Sequence, residues 1–180
     1  MRKLTFLFGL LGFLMSGYYA TWQANLLDRG FTVSNIATLI AISVTCSFLF
    51  EVPSGLVADR LGHKKAVLLG FATYVIGFFV PSISVHPLSL AATVIIVTIG
   101  DAIMEGAMDA WCSDVQRAAN GKVTSHAFMS FDQAQRFGMI AGALIVPALI
   151  TFLGKSASGG WFVYALIAGG IFLYASTIPA

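Results

Sequence analysis

The chain has 180 residues, of which 58% are hydrophobic and 10% charged, with a mean hydropathy of +0.87 and a formal net charge of +2. That balance excludes an ordinary soluble domain, in which about a quarter of residues carry charge. The two cysteines, Cys46 and Cys112, stand far apart without clustered ligand residues, so no disulfide framework, metal or cofactor is expected.

Charge-free windows run over Leu4–Leu27, Gly30–Phe50, Ala66–Gly100, Phe137–Gly154 and Ser156–Ala180, and a spanning helix needs roughly 17–25 residues. The first window predicts a helix near 4–26. It exceeds the roughly 7–15 residues of a signal-peptide core, and further spans follow. Towards its C-terminal end lie Tyr18, Tyr19, Trp22, Gln23 and Asn25. Tyr and Trp at that depth are expected as an interfacial belt, with Tyr18 and Gln23 as the candidate cavity-lining residues.

The second window predicts a helix near 33–57. The third is long enough for two spans, and Pro81, Ser82, Ser84 and Pro87 are expected to break it, because proline costs a helix a hydrogen bond and clashes with the preceding turn. Helices are thus expected near 65–83 and 88–112. Two more, near 125–153 and 160–178, complete an all-α integral membrane protein with short loops.

Arg2, Lys3, Arg60, Lys64, Lys65, Arg117 and Lys122 fall on one side of this arrangement, against Arg29 and Lys155 on the other. Seven against two predicts that both termini are cytoplasmic, in a multi-pass protein of the cell membrane. Since membrane topology alone would place the cations so, they carry no message about nucleic acid.

Between the second and third helices lies the segment Gly55-Leu56-Val57-Ala58-Asp59-Arg60-Leu61-Gly62-His63-Lys64-Lys65-Ala66-Val67. Topology accounts for Lys64 and Lys65 but not for Gly55, Asp59, Arg60 and Gly62 at fixed offsets; glycines suit close approach or a turn, and an acid stands beside cations. The spacing resembles the loop motif of the major facilitator superfamily: glycine, any residue, leucine, alanine, aspartate, arginine, any residue, glycine, two basic residues, two of any kind, leucine. Gly55, Ala58, Asp59, Arg60, Gly62 and Lys64 match. Val57, His63 and Val67 depart, and His63 puts a side chain charged only part of the time near neutral pH where a permanent cation is usual. Phe50–Gly55 and Gly106–Trp111 also resemble stretches in branches of that superfamily, a multidrug-efflux-like branch among them.

The resemblance implies two six-helix halves, each a 3+3 inverted repeat, with a substrate site at the midplane between them. The chain resembles the first half alone, and a C-terminal half or a second copy is the implied partner. In the family the loop acts as a conformational latch. Its acid faces a helix of the other half and its cations engage an acid below the fourth helix, a place that Asp114 fits. On that reading Gly55, Asp59, Arg60, Gly62, Lys64 and Asp114 form the latch; solvated, independent charges are the alternative for His63 and Lys65.

On the fourth helix Asp101, Glu105 and Asp109 recur every four residues, so about 80° of helix surface separates the first from the last. An acid at mid-membrane costs roughly 2.5–3.5 kcal/mol on insertion scales, so Asp101 is expected to face a polar cavity or a partner. Glu51, Asp101, Glu105, Asp109 and Asp132 lie in or near the apolar slab, with Arg136 the comparable cation. One arginine cannot neutralise five acids; some must be protonated, hydrated or balanced from outside. Asp101 and Glu105 are therefore the candidate proton or cation site, against the alternative of static polar contacts between helices.

The stripe Thr98, Ala102, Gly106 and Ala110 is expected to serve close helix packing. Many family members carry an arginine where this chain has Ala102, and Arg136 on the fifth helix is expected to assume part of its role. Asp132 and Arg136 are spaced for an intrahelical pair, leaving mutual neutralisation and a binding role both open. An intramembrane aspartyl protease would need a second opposed aspartate motif, which is not found, so no enzymatic activity is expected. Proton-coupled transport of a small solute across the bilayer is the leading expectation. A truncated or accessory membrane subunit is the alternative.

Overall fold

The computed structural model describes residues 1–83, 86–152 and 157–178. They form six helices: α1 Arg2–Asp28, α2 Val33–Leu61, α3 His63–Ile83, α4 Pro87–Asn120, α5 Ser125–Phe152 and α6 Ala157–Ser176. No strand occurs among the described residues. Helices α1 to α5 are long and apolar enough to cross a membrane, and α6 has a shorter apolar stretch, Gly160–Ser176. Ser84 and Lys155 lie outside the described residues.

Local chemistry sets the helix ends. Thr32 opens α2 with a capping box: its Oγ1 accepts from the Asn35 backbone N–H at 3.2 Å while its own N–H donates to Asn35 Oδ1 at 3.0 Å. Pro87 occupies the first turn of α4, where a missing N–H costs nothing, and His86 caps it by accepting from the Leu88 N–H. Gly121 closes α4 in the left-handed conformation, its N–H donating to the Arg117 carbonyl at 2.9 Å.

Two differences from the sequence reading matter for the site. The charged segment is barely a loop, because α2 runs on to Leu61 and α3 begins at His63, with Gly62 alone between them at φ +85°. Pro81 lies inside α3, two residues before its end at Ile83. Helix α4 continues to Asn120, well past the expected 112. In this polar extension Gln116 is fully buried, and its Oε1 accepts from the Thr124 N–H at 2.9 Å, fixing the turn into α5.

Helix α1 packs chiefly along α5 and more lightly on α6, α3 packs on α4 and α6, and α2 packs on α4. The α1–α5 contact brings backbone against backbone: a Cβ built on Gly138 would lie 1.9 Å from the Gly9 carbonyl oxygen, and one on Gly142 would lie 2.1 Å from that of Phe13. Small residues let helices approach closely where no hydrophobic driving force separates lipid from protein. An aromatic cluster joins α1, α3 and α6, with Tyr18 5.1 Å from Phe78 and 5.8 Å from Trp161 between ring centroids. Tyr164 donates to the Gly17 carbonyl at 3.1 Å and shares a hydrogen bond with the Thr21 hydroxyl.

Helices α2 and α5 turn broad apolar faces outward. Val44, Phe48 and Val52 recur every four residues along α2, each more than 60% exposed, and Phe137 and Leu144 stand two turns apart on α5.

Candidate functional site

Helix α4 bears the acids, and it is not a continuous rod. Glu105 has φ −53° and ψ −107°, which interrupts the helical repeat between Asp101 and Asp109. The next residue, Gly106, has no Cβ to stiffen the chain there, a usual setting for a kink. The sequence reading treated the three acids as a stripe on an unbroken helix. They nevertheless share one cavity.

Three cavities meet along α4. The first, about 600 Å³, lies between α2 and α4 and is lined by Glu51, Gly55, Asp59, His63, Glu105 and Gly106 among others. The second, about 570 Å³, is bounded by α1, α3, α4 and α5 and contains Tyr19, Tyr74, Asp101, Glu105, Asp109 and Gln135 in its wall. A third, about 230 Å³, lies between α1, α2 and α4, with Tyr18, Tyr19, Trp22, Gln23 and Asp101. Glu105 borders the first and second cavities, and Asp101 the second and third. Among the described residues no lysine or arginine lines any of the three.

Asp101 is half-buried and accepts a hydrogen bond on Oδ1 from the Tyr74 hydroxyl of α3. Close packing beneath it fixes this approach, since a Cβ on Gly100 would lie 2.2 Å from Thr73 Oγ1. Among the described residues Glu51, Asp101, Glu105 and Asp109 have no ion-pair partner. Asp101 is therefore oriented without being neutralised, and Glu51, Glu105 and Asp109 are exposed.

Asp132 and Arg136 stand apart from this arrangement. Arg136 Nε donates to Asp132 Oδ2 at 2.8 Å, with side chains 73% and 57% exposed, and neither lines the three cavities. The guanidinium is engaged on its own helix. Gln135, one residue earlier, is the α5 side chain that reaches the second cavity.

The expected latch residues gather at one end of the bundle with a different pairing. Asp114 meets His63, not Arg60, Lys64 or Lys65: His63 Nδ1 and Asp114 Oδ2 are 2.6 Å apart. Because α3 starts at His63 and α4 remains helical through Asp114, the departing position of the motif is the one set opposite the acid. Lys64 Nζ instead donates to the Ser176 carbonyl at the end of α6 at 3.2 Å, a favourable place for a cation. Arg60 and Lys65 are exposed, and Gly62 makes the turn. Gly55 serves neither a turn nor close approach, since it is helical and a Cβ there would meet nothing within 4 Å.

Two further expectations are overturned. The stripe Ala102, Gly106 and Ala110 lines the first cavity, and a Cβ on Gly106 would meet nothing within 4 Å, so it does not serve tight packing. Its first member, Thr98, is hydrogen-bonded to Ser43 of α2 at 2.9 Å. Trp22 is 8% exposed and lines the third cavity, so it faces inward and not into an interfacial belt. Tyr18 and Gln23 line that same cavity. Sequence reasoning missed Tyr74 as the partner of Asp101, although a tyrosine in mid-span needs somewhere to direct its hydroxyl.

Fold and site together describe a bundle of apolar helices enclosing acid-lined cavities. Over 105 residues the chain is 28% identical to the uncharacterized MFS-type transporter YxaM of Bacillus subtilis (strain 168), a match covering 58% of this chain and 26% of that protein. No family model matches the chain.

Proposed function

We propose that this chain forms the first six-helix half of a secondary transporter of the major facilitator type, which moves a small solute by alternating access and takes up protons at Asp101 and Glu105. The observation that carries the reading is the placement of these carboxylates at the junctions of three successive cavities with no lysine or arginine among the described residues of their walls. A carboxylate so placed exchanges protons with the spaces on either side of it, as intramembrane acids of proton relays do.

The helix pairing supports a 3+3 inverted repeat. Exchanging the first three helices for the last three converts the α1–α5 contact into α4–α2 and the α3–α4 contact into α6–α1, all of which occur, and leaves α3–α6 unchanged. The match to an MFS-type transporter supports the same architecture. The lysine and arginine bias supports cytoplasmic termini in a cell membrane. The exposed apolar faces of α2 and α5 are where a second six-helix half, or a second copy, would sit against this one. His63, Asp114 and Asp59 then form one side of a latch that opens as the halves rock.

The test is solute flux driven by a pH gradient in proteoliposomes. Asp101→Asn and Glu105→Gln are each expected to abolish the dependence of flux on the gradient while leaving the protein in the membrane. Unchanged coupling in both variants would overturn the assignment.

A further inference from the structure

The third cavity has a wall chemistry of its own. Tyr18, Tyr19 and Trp22 line it from α1, the first and last buried and Tyr19 exposed, and Asp101 lines it from α4. Tyr18 stacks near Trp22 with centroids 6.1 Å apart and planes 26° from parallel, and it packs on Phe78 behind, so the aromatic wall is held before any ligand arrives. Leu39, Ile40, Val94 and Val97 make the aliphatic part of the remainder, and Gln23, Ser43 and Thr98 add polar groups.

We infer that this cavity is a binding site for a compact organic monocation, of the quaternary or alkylammonium class, with its charge against Asp101 and its apolar groups against Tyr18, Tyr19 and Trp22. The Tyr74 hydroxyl occupies Oδ1 of Asp101 from the second cavity, while Oδ2 has no protein hydrogen-bond partner among the described residues. One free carboxylate oxygen and no cationic side chain make the space hostile to anions. A small inorganic cation would require a shell of six or more oxygens, whereas the wall's Ser43 and Thr98 hydroxyls are hydrogen-bonded to each other and Gln23 adds one amide. An organic cation needs no such shell, because its charge is spread over apolar groups that aromatic faces attract. The volume of about 230 Å³ admits a small ligand and not a large one.

This inference rests on the transporter reading for the reason that a solute enters, but its test does not depend on coupling. The protein in lipid nanodiscs is titrated at fixed pH, without a gradient, with benzyltrimethylammonium, with its uncharged isostere neopentylbenzene, and with benzenesulfonate. Saturable binding of the cation, at least tenfold tighter than either of the others, is expected. Asp101→Asn should lose about tenfold in affinity for the cation and Trp22→Phe, which keeps a ring in the wall, should lose less, with Asp101→Asn melting as the parent does.

Equal binding of cation and isostere in the parent protein would overturn the inference without recourse to any variant, as would preference for the sulfonate. Cation binding that persists while gradient-driven flux is absent would uphold the site and refute the coupling. The converse result would uphold the transporter and refute the cation site.

Discussion

Replacing Gly138 with alanine tests the packing on which the bundle depends. The added methyl would lie 1.9 Å from the Gly9 carbonyl oxygen and 2.8 and 3.0 Å from Gly9 C and Cα, all backbone atoms that no rotamer change can move aside. Bringing the first of these to an ordinary contact of 3.4 Å requires α1 and α5 to open by about 1.5 Å at this crossing. The same opening loosens the approach of Gly142 to Phe13 and of Gly12 to Gln135. Overpacking of this kind costs about 1–3 kcal/mol, offset by about 0.5–1 kcal/mol from replacing a helical glycine by alanine.

A net loss of about 2 kcal/mol is expected for Gly138→Ala, because several close approaches share the displacement. Gly55→Ala is the internal comparison. It also lies in a helix, but its Cβ meets nothing within 4 Å, so only the favourable backbone term remains and a gain of about 0.5–1 kcal/mol is expected. Both variants would be unfolded by SDS titration from mixed micelles. If Gly138→Ala unfolds at the same SDS fraction as the parent or a higher one, the backbone contact between α1 and α5 is not as described.

The pair between His63 and Asp114 has side chains 31% and 51% exposed, so a double-mutant cycle with His63→Ala and Asp114→Asn should return a coupling below about 1 kcal/mol that shrinks as salt is added. A coupling above about 2 kcal/mol would contradict a weak, openable latch. Tyr74→Phe keeps the ring and removes the hydroxyl from Asp101. Transport is expected to fall about two- to tenfold, the equivalent of a hydrogen bond of about 0.5–1.5 kcal/mol, with a loss of stability no larger than that; undiminished flux would reduce Tyr74 to a packing residue.

Much of the helix pattern is legible along the chain, because transfer of apolar residues into a membrane depends on local composition. The windows between Lys3 and Asp28, or between Arg29 and Glu51, leave little choice but a helix. Polar extensions are harder to read. Nothing apolar announces that α4 continues through Ser113, Asp114 and Gln116, since those residues are carried by contacts such as that of Gln116 with Thr124. Pro81 lies two residues before the end of α3, and the break falls after it.

The candidate site divides in the same way. That Asp101 and Glu105 require a polar setting follows from the cost of a carboxylate in an apolar slab, which is a property of the residue and its depth. Which cavity each acid borders, whether Trp22 turns inward, and that Asp114 meets His63 depend on how six helices rotate and cross. A helix presents every side chain in its sequence without saying which neighbour each will face, and the kink at Glu105 further separates position along the chain from position in space. Composition alone determined that this protein is built of apolar helices carrying costly acids. Only the packing of α1 through α5 decided that these acids stand at the boundaries of shared cavities, because cavities are what several helices leave between them and belong to no single one.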